Sequence, residues 1–246
     1  MLRMRRAAVV ILALVLSSAA VPTAFADAPP PAADPALAPL LGKLATYAQS
    51  FEEMKKRGSF TASGKVEELD GKGHIDATRE MVMKVTATPA ERLTEIVRYL
   101  EDGEDKTAMA REKMRKQKAE KDDAKKKRRD IHLPFLASEA GHYVFALAER
   151  AGTRARVTFT PKETGEDVYK GSAWVEEATG EVLTLGFAPS KMPFYVDHVD
   201  ITMRFDHVTS LGRAPSSLSF DAKGGFLVIH KHYRGNVAIL DPRIAF

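Results

Sequence analysis

Apolar and polar positions change their period twice along this chain. Leu37, Leu40, Leu41, Leu44, Ala48 and Phe51 recur at three- and four-residue spacing, which predicts an amphipathic helix over 36–57. Asp34 suits its N-cap and Pro35 its first position. Lys55, Lys56 and Arg57 complement the C-terminal end of its dipole, and Gly58 stops it. From Ser59 the period drops to two. Phe60, Ala62, Gly64 and Val66 alternate with Thr61, Ser63, Lys65 and Glu67, and Asp70-Gly71 reads as a tight hairpin turn. The return strand places Ile75, Ala77, Arg79, Met81, Met83 and Val85 on one face, so Arg79 is a charge among apolar neighbours.

The period then lengthens again. Thr88 and Glu91 have capping-box spacing, and Leu93, Ile96, Val97 and Leu100 give an apolar stripe, predicting a second helix over 89–102. Residues 104–130 carry twelve Lys/Arg and seven Asp/Glu and read as a charged helical excursion. From His142 the alternation of strands dominates: 143–150, 153–160, 168–177, 181–188, 196–209, 216–221, 225–233 and 236–240, with short turns at 151–152, 178–180, 222–224 and 235. Short hairpins forbid parallel crossovers, so the expected class is α+β with an antiparallel meander of about 9–11 strands, arranged as a sandwich or an open barrel.

The N-terminus changes where this domain is expected to work. Met1–Arg6 holds three arginines, 7–21 is apolar or small, and Ala24-Phe25-Ala26 has the small-x-small form that a signal peptidase cuts. Residues 1–26 are therefore read as a secretory signal peptide, too short for a spanning anchor. Residues 27–35, rich in Pro and Ala, form a tether, and 36–246 a single domain. The expected location is the periplasm. There is no cysteine, which excludes disulfides, thiolate metal sites and lipid attachment at an N-terminal cysteine. The formal charge of +4 is concentrated in 104–130, where Lys125, Lys126, Lys127, Arg128 and Arg129 form a basic run. In that compartment an anionic membrane surface or a protein partner is the expected counterpart of this run, and nucleic acid is not.

Candidate chemistry is sparse. There is no G-x-S-x-G and no H-E-x-x-H, and Gly58–Lys65 has the wrong spacing for a phosphate loop. Glu67/Glu68 and Glu176/Glu177 are strand neighbours whose side chains diverge. His230 and His232 share a strand face, with His198 or His207 as a candidate third metal ligand, but no acid completes the set. The expectation is a non-enzyme without a cofactor.

Val157-Thr158-Phe159-Thr160-Pro161-Lys162 is followed by Gly171-Ser172-Ala173-Trp174-Val175-Glu176-Glu177, a turn, and Glu181-Val182-Leu183-Thr184-Leu185. This layout resembles the periplasmic lipoprotein-carrier superfamily (LolA/LolB-like, including RseB-like regulators). The charged excursion at 104–130 and Glu176 in place of Asp depart from its pattern. The resemblance implies an open half-barrel with helices over the concave face and an apolar cavity for acyl chains. Arg79, Met81, Met83, Phe145, Phe159, Trp174, Leu185, Ile201, Met203 and Phe205 are the cavity candidates, against the plainer alternative of an ordinary sheet core. Leu40, Leu44 and Phe51 from the first helix, with Leu93 and Val97 from the second, are the lid candidates. Arg79 is expected to latch that lid by bonding helix carbonyls. The function expected is carriage of lipid or lipid-modified protein, with a sensor or protein-interaction module as the alternative.

Overall fold

The computed structural model describes residues 35–244 apart from 90, 124–131, 166–167 and 227–228. Residues 1–34, which include the expected signal peptide and most of the expected tether, and Lys125–Arg129 lie outside the described residues. Helix α1 (Leu37–Arg57) leads directly into β1 (Gly58–Leu69), β2 (Ile75–Ala87), β3 (Arg92–Glu101) and β4 (Glu104–Asp105). Helices α2 (Thr107–Asp123) and α3 (Ala137–Ala140) follow. Then come β5 (Tyr143–Ala151), β6 (Arg154–Pro161), β7 (Tyr169–Glu176), β8 (Val182–Pro189) and β9 (Val196–Arg204). A small hairpin, β10 (His207–Thr209) and β11 (Gly212–Ala214), precedes β12 (Ser217–Phe226) and β13 (Ile229–Ile244).

Eleven of these strands form one antiparallel sheet in the order β4-β3-β2-β1-β13-β12-β9-β8-β7-β6-β5. Its ends do not meet, so the fold is an open half-barrel. Strand parity gives it two chemically different faces. One inner row runs through Tyr99, Met81, Gly64, Val237, Leu218, Met203, Leu185, Ala173, Val157 and Leu147, each paired with the next. The intervening positions on the outer face are mostly polar, as period-two patterning requires.

Helix α1 lies against the inner face. Leu40, Leu44, Tyr47, Ala48 and Met54 join Val157, Phe159, Ala173, Val175, Val182 and Leu185 in the main core. Pro35 precedes the helix, Ala36 occupies the N-cap position without a side-chain cap, and Asp34 lies outside the described residues. The Tyr47 hydroxyl donates to the Arg213 carbonyl at 2.8 Å, tying α1 to the β10–β11 hairpin. Burial, with the Glu181 carboxylate nearby, pushes the Tyr47 hydroxyl pKa far up, so it stays a donor.

Several expected boundaries move, each for a local reason. The helix expected at 89–102 is strand β3, so Leu93 and Val97 are exposed strand residues and cannot form a lid. The Thr88/Glu91 pair does satisfy backbone donors, but in a turn: the Thr88 N–H donates to the Glu91 carbonyl (2.8 Å) and the Glu91 N–H to the Thr88 hydroxyl (3.2 Å). A bulge falls between Val82/Met83 opposite Ile96 and Arg98, so Ile96 and Tyr99 both bury on the inner face. That three-residue spacing imitates a helix. The expected turn at Asp70-Gly71 is a wider loop in which Gly73, at φ +86°, takes the left-handed conformation. The expected breaks at 222–224 and 235 fall inside β12 and β13. Gly235 is there because the Phe220 ring covers it, with a ring carbon only 2.5 Å from where a Cβ would stand. The expected strand 196–209 divides into β9 and β10 around Phe205, which is fully buried under α1.

The charged excursion begins with β4 and α2, which contacts β3. Arg111 donates from Nε to the Ile96 carbonyl (2.7 Å) and from Nη2 to the Val97 carbonyl (3.1 Å). These carbonyls lie at the bulge near the sheet edge, so Arg111 occupies acceptors that would otherwise invite strand addition. Arg111→Met should cost about 1 kcal/mol. Faster amide hydrogen exchange in β3 than in β8 checks this, and unchanged exchange would remove the edge-guarding role.

Candidate functional site

The inner face is filled unevenly. Over β5–β8 it is closed by α1 and by residues 133–136. Leu133, Phe135 and Leu136 are buried, and the Phe135 ring stacks on Phe145 at 5.5 Å and meets Phe159 edge-on at 5.9 Å. Phe205 meets Phe51 at 5.9 Å and Tyr47 at 6.4 Å. Over β13, β1 and β2 the same face continues as Val66, Met81, Met83 and Val237, with Phe220 and Val199 on β12 and β9. All six are only half-buried, and none belongs to the main core.

The cavity candidates therefore divide. Met81, Met83, Ile201 and Met203 line the inner face by register, and Phe145, Phe159 and Leu185 line it where α1 and 133–136 already fill it. Phe205 is core, completely buried beneath α1. Trp174 points the other way. Ala173 and Val175, its strand neighbours, take the inner side, and Trp174 lies on the outer face under the Arg156 guanidinium at 6.0 Å. Of the lid candidates, Leu40 and Leu44 are buried in the core and Phe51 packs against it, which makes α1 a wedge at one end of the half-barrel.

Arg79 is on the inner face as expected, but its surroundings differ from a helix latch. Its Nη2 is 3.6 Å from Glu68 Oε2 and its Nε 3.6 Å from Glu101 Oε1. Glu68, itself buried, contacts the Lys231 ammonium through Oε1. The Tyr99 and Tyr233 hydroxyls complete the group, near Arg79 and Glu68 respectively. Burial raises both tyrosine pKa values, and the Glu68 bond raises that of Lys231. Two basic, two carboxyl and two hydroxyl side chains thus meet at one end of the apolar strip. Arg111, near the sheet edge, is an arginine that does bond backbone carbonyls.

The outer face carries two adjoining polar grooves, of about 430 and 310 Å³, which share Lys65 and Asn236. His232 pairs there with Asp221 at 2.9 Å and His198 with Asp200 at 3.0 Å, while His207 bonds the Ile239 carbonyl at 2.7 Å. His230 is exposed. Among the described residues no three His, Asp or Glu side chains converge as a metal site would require, and no helix is long and apolar enough to cross a membrane.

The site residue that sequence reasoning missed is Phe135, with Leu133 and Leu136. The run Leu-Pro-Phe-Leu directly after the charged segment was its signal, but four residues have no measurable period.

No protein-family model matches the chain, and no curated protein does. Among solved structures it is similar to a LolA superfamily protein from Nitrosomonas europaea, with 11% identity and a TM-score of 0.35, over 81% of this chain and 94% of that one. It is also similar to an outer membrane lipoprotein-sorting protein domain from Vibrio parahaemolyticus, with 14% identity and a TM-score of 0.37, over 80% and 91%. A DUF1329 family protein from Desulfovibrio piger matches with 11% identity and a TM-score of 0.40, over 84% and 93%.

Proposed function

We propose that this protein is a periplasmic binder of acyl chains, from lipid or lipid-modified protein, exported behind residues 1–26 and folded as one domain from 36. The observation that carries the reading is the half-buried apolar strip over β13, β1 and β2, beside a core already closed by α1 and 133–136. A sheet core packed for stability alone buries its large apolar side chains, and a contiguous apolar surface left half-open marks a place where something else lies. Each methylene sheltered there contributes about 0.8 kcal/mol, so partial shelter holds a chain while leaving it releasable. Met81 and Met83 suit a surface that repacks around different chains. Because α1 is wedged into the core, a chain enters along the strip without its displacement. Lys125–Arg129, at the end of the charged excursion, would bring the protein to anionic membrane.

The test is organic extraction of protein purified from its native envelope, followed by mass spectrometry. Copurifying acyl lipid is the expected result. A lipid-free extract together with a stoichiometric protein partner would replace carriage by the interaction-module reading.

A further inference from the structure

We propose that Arg79 and Lys231 form the seat for an anionic head group, a phosphate or a carboxylate, on the amphiphile whose chain lies along the inner face, and that Glu68 is the built-in occupant it displaces. This rests on the acyl-chain reading above and specifies its ligand.

Three observations lead here. The first is placement. Arg79 follows Met81 and Met83 on the inner side of β2, and Glu68 follows Val66 on that of β1. The charges therefore end an apolar strip whose half-buried part extends about 13 Å from Arg79 to Met83, at the rise of an extended strand. An apolar strip with a charged end is the complement of an amphiphile.

The second is the geometry around Glu68. Its two carboxylate oxygens address two cations, Oε1 toward Lys231 and Oε2 toward Arg79. An external carboxylate or phosphate would take the same bridging position. The Arg79 contacts to Glu68 and Glu101, both 3.6 Å, are too long for hydrogen bonds. The guanidinium fork therefore has donors that a phosphate could engage at shorter range. The Lys231 side chain is 44% exposed, against 15% for Arg79, so the seat opens to solvent on the lysine side.

The third is energetic. Glu68 and Arg79 are both largely buried, and a buried ion pair stabilises a fold no better than apolar residues of equal volume, so folding alone does not account for this pair on the inner face. A seat that must release its ligand benefits from an internal competitor. Glu68 compensates the cations when the ligand leaves, which prevents an uncompensated buried charge.

The experiment is a titration of the purified protein carrying ¹³C-methyl methionine, followed at Met81 and Met83, with dodecyl phosphate, dodecyl maltoside and inorganic phosphate as separate probes. Dodecyl phosphate should bind about tenfold more tightly than the maltoside, as one charge-assisted contact would give. Glu68→Gln removes the competitor and should tighten dodecyl phosphate about tenfold further while leaving the maltoside unchanged. Arg79→Met and, at the more exposed position, Lys231→Met should erase the preference and leave maltoside binding intact, with thermal melts confirming the fold. Equal affinity for both surfactants, unmoved by Glu68→Gln, would overturn the head-group seat and leave the acyl-chain reading standing. Failure of both surfactants to bind any variant would overturn both readings. Inorganic phosphate binding as tightly as dodecyl phosphate would show that the chain contributes nothing, and would also overturn the proposal.

Discussion

Replacing Phe135 with alanine should destabilise the protein by about 3–5 kcal/mol, the range for removing a buried phenylalanine ring. Phe135 is 1% exposed and is held between the Phe145 and Phe159 rings. Its removal leaves a cavity that β5 and β6 cannot collapse into, because both are held by the sheet. The loss should also release Leu133 and Leu136, since the ring is the largest group anchoring that segment. Urea denaturation measures the effect. Phe194→Ala is the control: Phe194 is 64% exposed, and its truncation should change stability by less than about 0.5 kcal/mol. A loss below about 1 kcal/mol for Phe135→Ala would mean that residues 133–136 are not part of the core.

Gly171→Ala should cost about 3 kcal/mol, the upper range for overpacking. A Cβ at this position would stand 2.1 Å from the Gly186 carbonyl oxygen and 2.8 Å from the Phe187 Cα. Both are backbone atoms of β8, so relief requires β7 and β8 to separate. The Phe159 ring, 2.9 Å from the same point, closes the remaining direction. Gly42→Ala, where a Cβ would meet nothing within 4 Å, should instead stabilise α1 slightly through helix propensity. Thermal melts of the two variants, read together, check the prediction; equal melting temperatures would contradict the packing at β7–β8.

Legibility followed the physical origin of each signal. Strands such as 143–150 and 153–160 alternate cleanly, and their boundaries agree with β5 and β6 to within a residue or two. The β3 segment was misread because its information lay in the partner strand: a bulge opposite Val82/Met83 puts Ile96 and Tyr99 on one face. Gly224 and Gly235 carry the same lesson. Glycine marks a turn or a close approach, and only the position of Phe220 distinguishes them at 235. Trp174 was misplaced because size suggests burial, whereas parity sends it outward and gives the crowded inner position to Ala173. Arg79 was legible as an anomaly but not as a member of a group. Glu68, Glu101 and Lys231 lie on three other strands, and Lys231 is 152 positions away.

Local chemistry was sufficient for the helix over 36–57, the antiparallel meander, the absence of thiol chemistry and the amphipathic division of the sheet into two faces. These depend on side-chain periods and hairpin lengths, which are properties of short stretches of chain. Which part of the inner face is filled, which charges meet on it, and which glycines sit beneath rings depend on contacts between residues far apart in the chain. Such contacts are selected by the packing of the whole sheet, and no local period encodes them.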